Sequence, residues 1–178
     1  MIQTIRVGLL LREAVAAPYR NLVTRPTGAA VRTRIEATLA DSDCLTALLD
    51  FSDIELVDLS CADEVVAKLL LTVRTAYFVV LQGLREDHHE AIDHVLRHHR
   101  IAVAAVPPGS HAPRLLGWAS ADSREAFSWI SETGPLDVAG LSRGLGWTLA
   151  RSREALGTLT LHRLIRPVGE LYHPLQTA

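Results

Sequence analysis

Residues 46–71 read TALLDFSDIELVDLSCADEVVAKLLL, and the rest of the chain is arranged around them. The apolar run Ala47-Leu48-Leu49 meets a carboxylate at Asp50, crosses a polar turn at Ser52-Asp53 and returns through Ile54, Leu56 and Val57 to Asp58. That order reads as a buried strand, a tight turn and then a helix. Ser60 is placed to cap the helix, since its hydroxyl can accept an orphan N–H of the first turn, with Asp63 three residues on completing an approximate capping box. Val65, Val66, Leu69 and Leu70 recur at helical spacing and give the helix an apolar face.

Working back from this unit, Ile2, Ile5, Val7, Leu9 and Leu11 suggest an opening strand, Asn21 to Thr24 a short second one, and 29–39 a helix with Val31, Ile35 and Leu39 inward. Working forward, Tyr77-Phe78-Val79-Val80-Leu81 suits a strand covered on both faces. Residues 86–97 suit a helix with acids early and bases late, as the helix dipole favours. Residues 101–106 read as a further buried strand. Strands alternating with helices predict an α/β fold, a parallel or mixed sheet with helices packed on it. The texture changes at Pro107-Pro108-Gly109-Ser110-His111-Ala112-Pro113, which no regular element tolerates. The expected division is therefore an α/β domain over 1–106, a linker, edge strand or docking segment over 107–121, and a small helical domain over 122–178. Within the last, helices are expected at 123–130, 136–145 and 148–163, then a hairpin over 165–172 turning near Gly169.

Composition narrows the function classes. At 178 residues and 48% hydrophobic the chain can bury a real core, and a net charge of −2 with pI near 6.4 excludes a polycation built to coat nucleic acid or an anionic membrane. The charge is uneven: 135–178 carries 5 basic against 3 acidic side chains, so the tail is the mildly basic part. Lys68 is the only lysine among 18 cationic residues. Two cysteines, Cys44 and Cys61, are too few for a disulfide scaffold or zinc finger and fit a reducing compartment. The apolar run 7–11 is too short to span a membrane, and a cytoplasmic protein with no membrane contact is expected.

The segment LLDFSDIELVDLSCADEVVAKLL resembles the STAS family, whose best-known soluble members are bacterial anti-sigma-factor antagonists, and more closely the STAS-like proteins of unassigned function. The resemblance covers about residues 2–106 and rests chiefly on the Asp-x-Ser step at a strand-to-helix junction. In antagonists that step is Asp-Ser-Ser-Gly, and its second Ser is phosphorylated by a partner kinase. The matching residues here are Asp58, Leu59, Ser60 and Cys61, so the resemblance implies Ser60 as a phosphorylated switch with Asp58, Cys61 and Asp63 as its neighbours. It also implies a protein partner such as a kinase or anti-sigma-like factor. A phosphate at a helix N-terminus is favoured by free N–H groups and the dipole. The sequence departs in having Cys61 for Gly, and Asp63-Glu64 would repel a phosphate; the plainer alternative is that Ser60 is a helix cap alone.

The tail GPLDVAGLSRGLGWTLARSREALGTLTLHRLIRPVGELYHPL is similar to winged helix-turn-helix domains, which place a second helix in the major groove of double-stranded DNA and a wing along the backbone. On that likeness Thr148 caps the recognition helix, Arg151, Ser152 and Arg153 lie in its first turns, and Arg166 sits on the wing. Many such domains instead bind protein or form homodimers.

His94 and His98, four apart on a helix also carrying His88, His89 and His99, have a spacing that would suit a metal, but the zinc-protease order is absent and a solvated, pH-sensitive face is the preferred reading. Asp50, Asp53, Asp58, Asp63 and Glu64 gather at strand ends, where open sheets place their sites. A magnesium-dependent receiver also needs a lysine on a later strand, which is lacking. No phosphate cradle or nucleophile elbow is present. No cofactor, metal or catalysis is expected. The expectation is regulation, transcriptional or signalling, with a protein-interaction scaffold as the alternative.

Overall fold

The strand 46–50 is buried on both sides, and the architecture follows from that. In a computed structural model, which describes residues 1–73 and 76–177, Thr46–Asp50 (β3) lies between Ile2–Arg6 (β1) and Phe78–Gln82 (β5), parallel to both. Ala178, the last residue of the expected tail domain, lies outside the described residues. Ala102–Ala105 (β6) continues the parallel series, and Arg114–Gly117 (β7) closes the sheet antiparallel to β6, giving the order β1-β3-β5-β6-β7. A parallel neighbour needs a crossover of a dozen or more residues, and the short Pro-rich segment after β6 admits only the antiparallel return. Of the alternatives expected for 107–121, the edge strand is present, as the fifth strand of the sheet.

Between the strands lie Val7–Val15 (α1), Arg25–Ala40 (α2), Leu59–Ala62 (α3), Leu69–Val73 (α4) and Glu86–His98 (α5). A minor ladder joins Asn21–Leu22 (β2) to Leu56–Val57 (β4). A π-helical stretch, Asp63–Lys68, joins α3 to α4, and such wide turns recur at functional sites. The first expectation corrected is that of a strand reaching Leu11. Val7, Gly8 and Leu11 are buried while Leu9 is exposed, a helical rather than alternating pattern, and the chain turns into α1 once Arg6 has paired with Asp50.

Period-two alternation splits the sheet into two faces. Ala47, Leu49, Val79, Leu81, Val103 and Ala105 join the core formed with α1 to α5. Leu48, Phe78, Val80 and Ala104 point the other way and pack against the tail. The tail consists of Ala121–Thr133 (α6), Val138–Leu145 (α7), Leu149–Leu161 (α8), Arg166–Val168 (β8) and Leu171–His173 (β9). Ala126, Phe127, Ile130, Leu141, Ala155, Leu156 and Leu159 supply its side of this second core. The chain is thus a three-layer sandwich, and the expected hairpin is present as the β8–β9 pair. Within the tail, Leu136 also bridges to Tyr172, so its order is helix, bridge residue, helix, helix, hairpin. Gly146, at a φ of 66°, makes the turn between α7 and α8 that a side chain would strain.

Candidate functional site

The helix that begins after β4 is capped by Asp58 and not by Ser60. Asp58 is extended, with φ −82° and ψ 169°, and its Oδ1 accepts the Cys61 N–H at 2.7 Å. Its Oδ2 accepts the Thr24 N–H at 2.8 Å, which ties this helix to the start of α2. Ser60 lies one residue into the helix, its hydroxyl donating to Asp58 Oδ1 at 3.0 Å. The expected capping box with Asp63 does not form. Burial pushes the Asp58 carboxyl upward, but the hydrogen bonds from Thr24, Cys61 and Ser60 outweigh it and hold the group below the usual carboxylate range.

Cys61 is buried, and its Sγ donates to the Thr24 carbonyl at 3.0 Å. Burial, reinforced by the Asp58 charge, pushes the thiol up to about 12, so it is inert. The space that a glycine would leave at this position is supplied from the facing helix: a Cβ on Gly28 would sit 3.1 Å from both Cys61 Cα and Sγ.

Asp63 and Glu64 open the π-helical stretch and face opposite environments. Asp63 accepts from Arg25 Nη1 at 2.8 Å and pairs with His99 Nε2 at 2.7 Å. Glu64 is buried, 2% exposed, with Arg25 and Lys68 on Oε1 at 2.7 and 2.6 Å and Arg32 on Oε2 at 3.2 Å. For both acids burial acts to raise the carboxyl and the cationic partners reverse it, leaving each below its ordinary value. Around Ser60 this arrangement leaves an open recess of about 440 Å³, lined by Arg25, Leu59, Asp63, His94, His98 and His99 among others. Ser60, Asp58, Cys61 and Asp63 are thus together, as expected. The residues missed as their neighbours, Arg25 and the histidines, come from helices more than thirty positions away, and no local spacing signals that juxtaposition.

The remaining strand-end acids disperse into structural roles. Asp50 accepts from Ser52 N and Oγ at 2.8 and 2.5 Å, and Asp53 pairs with Arg6 and Arg12. His88 is buried with its ring between Arg85 N and Glu55 O. Among the described residues no group of three or more His, Cys, Asp or Glu is placed to hold a metal ion.

In the tail, Thr148 caps α8 as expected, accepting the Arg151 N–H at 3.1 Å. Arg151 makes a two-pronged ion pair with Asp122, at 3.0 and 2.8 Å, and its guanidinium lies 4.2 Å over the Trp147 ring. Ser152, expected at the nucleic-acid face, is corrected: it is fully buried, and its hydroxyl is 2.8 Å from that of Ser142. A residue on the inward face of α8 holds α7 and cannot reach a base. Arg153 is exposed, whereas Arg166 is half-buried and donates to the Pro174 carbonyl at 3.4 Å. Arg124 donates to the carbonyls of Leu115 and Gly117, and Arg163 stacks 4.0 Å from the Phe78 ring, so both are spent on the sheet.

Among the described residues no helix is long and apolar enough to cross a membrane. Comparison with protein-family models, curated proteins and solved structures found no match.

Proposed function

We propose that the chain is a non-catalytic regulatory protein in which a STAS-like sheet presents Ser60 to a protein partner and a winged-helix-like tail makes a second protein contact. The observation that carries the first half is the recess at Ser60, where a half-buried hydroxyl stands beside Arg25 and three histidines at the start of a helix. A phosphate there would meet the Arg25 guanidinium and would be opposed by Asp58 and Asp63, so modification would redraw the local charge pattern. No nucleophile–base pairing accompanies the hydroxyl, whose bond is to an already occupied carboxylate.

For the tail, the order helix, bridge residue, helix, helix, hairpin supports the winged-helix reading. The balance of its surface favours protein over DNA. From α6 onward Arg124, Arg143, Arg151, Arg153, Arg163 and Arg166 are matched by Asp122, Glu125, Glu132, Asp137, Glu154 and Glu170; Arg124 and Arg163 are turned inward and Arg151 is held by Asp122. Leu149, Leu161, Val168 and Leu171 are exposed on α8 and the hairpin instead. Double-stranded DNA is the second reading, supported by Arg143 and Arg153 standing exposed on α7 and α8.

Fluorescence anisotropy of the full chain against mixed labelled duplexes at two salt concentrations separates the two. Absence of binding at low salt, with self-association in sedimentation lost on Leu161→Glu or Leu171→Glu, supports the protein contact. A salt-steep affinity abolished by Arg151→Ala plus Arg153→Ala overturns it in favour of DNA. Phosphate found on Ser60 in material from the native host, and a partner whose binding is altered by Ser60→Asp, would support the switch; persistent absence of both overturns it.

A further inference from the structure

We infer that the cleft between the β6–β7 edge and α8 binds a small zwitterion with an apolar side group, of the α-amino acid class. The site lies where β6 begins and β7 ends, on the side of the sheet covered by the tail, and is independent of what the tail contacts. It encloses about 230 Å³. At roughly 30 Å³ for each water-sized unit of liquid, that is room for about eight such units, the size of a small metabolite and well below that of a nucleotide or peptide.

Its lining is selective in charge as well as size. Leu159 and Leu164 are buried and make an apolar floor, and the Trp118 indole, half-exposed, forms a wall. Arg100 enters from the turn between α5 and β6 and Glu154 from α8. Neither has an ion-pair partner among the described residues, and although they line the same cleft no ion pair joins them. A positive and a negative group lining one small space are complementary to a molecule carrying both charges: a carboxylate at Arg100 and an ammonium at Glu154 and the Thr158 hydroxyl, with the side group over Trp118. Arg100 holds a φ of 54°, uncommon for a residue with a side chain, and its N–H donates to the Arg97 carbonyl, so its side chain is launched from a fixed turn. Occupancy would join the turn that leads into β6 to a residue of the tail, making the ligand a link between the two contact surfaces.

The test is isothermal titration calorimetry of the full chain with L-leucine and with L-methionine, each of nine non-hydrogen atoms, followed in parallel by tryptophan fluorescence. Saturable binding is expected, weakened at least about tenfold for N-acetyl-L-leucine, which lacks the ammonium, and for leucine amide, which lacks the carboxylate. Glu154→Gln and Arg100→Asn should each give a similar loss, Asn being chosen because it tolerates the left-handed backbone. Thr158→Trp, at an exposed position that fills the cleft, should abolish binding with the fold retained. No saturable heat from either amino acid overturns the inference. So does binding that survives Thr158→Trp, or that does not distinguish leucine from its two derivatives.

Discussion

At Asp58 and Ser60 a single hydrogen-bond donor decides which side chain holds the helix. Asp58 binds two backbone N–H groups, whereas Ser60 only lends a proton to Asp58. Asp58→Ala should therefore cost about 1–2 kcal/mol, the range for loss of a helix cap, and Ser60→Ala less than about 1 kcal/mol. Urea denaturation of the two variants checks this, and the reverse ranking would restore Ser60 as the cap. The junction itself was legible from the sequence, but its cap was not, because Asp58-to-Cys61 and Ser60-to-Asp63 both have the three-residue spacing of a capping bond. Only the Thr24 N–H, brought in from another segment, settles the choice. The neighbouring thiol gives a second prediction. Cys61 has its pKa pushed up to about 12, and both it and Cys44 are buried. Ellman's reagent at mildly alkaline pH should find no reactive thiol in the native chain and two in denaturant, and rapid native labelling of Cys61 would contradict the packing of Gly28 against it.

At the scale of elements, the stretch from α3 to α4 places Glu64 among three cations on a helix whose Val65, Val66, Ala67, Leu69 and Leu70 are buried. Glu64 is the buried member and its three cationic partners all keep access to water, so Glu64→Ala should destabilise by the loss of charge-assisted hydrogen bonds, about 1.5–3 kcal/mol. The pH dependence has a definite sign. Asp58, Asp63 and Glu64 have folded-state pKa values depressed below those of the unfolded chain. Their contribution is fully present above the unfolded value of about 4 and is lost as pH falls through and below it. Thermal melts followed by circular dichroism should be nearly flat from about pH 7 to 5 as far as these carboxylates are concerned, and fall steeply below about 4. Glu64→Gln should shrink that acid-limb drop, and an unchanged slope would exclude Glu64 from the linkage. The helix was readable from Val65, Val66, Leu69 and Leu70, but the burial of Glu64 was not, since a carboxylate in an amphipathic pattern ordinarily marks the solvent side. The same ambiguity affected residues 7–11. Alternation through Val7, Leu9 and Leu11 fits a strand, the pair Val7 and Leu11 fits a helix, and the length of the β3 partner decided between them.

At the scale of the whole molecule, the strand order accounts for the position of the tail. Successive parallel strands added in one direction through right-handed crossovers put every crossover helix on the same face. That leaves Leu48, Phe78, Val80 and Ala104 bare unless another segment covers them, and the continuous apolar runs 47–49 and 78–81 already announced strands buried on both sides. The sequence thus contained the requirement for a third layer. What hid its source was the Pro-rich break at 107–113, which marks a change of direction as well as it would mark a domain boundary. A physical consequence follows for the fragment 1–118, which keeps all five strands and α1 to α5 but loses the cover. Its bare face would exceed the few hundred Å² of contiguous apolar surface that monomeric proteins normally tolerate. The fragment should bind a hydrophobic dye, elute as aggregates in size-exclusion chromatography and lack a cooperative thermal transition, while the full chain does neither of the first two and unfolds cooperatively. Leu156→Ala in the full chain, fully buried on α8 in the core that covers this face, should move it part of the way, costing about 2–5 kcal/mol through the cavity left behind. A monomeric, cooperatively unfolding 1–118 would mean that the tail is an added module. An aggregating one would mean that the tail is part of the sheet's own core, so that any contact made by α8 is felt directly by the strands beneath it.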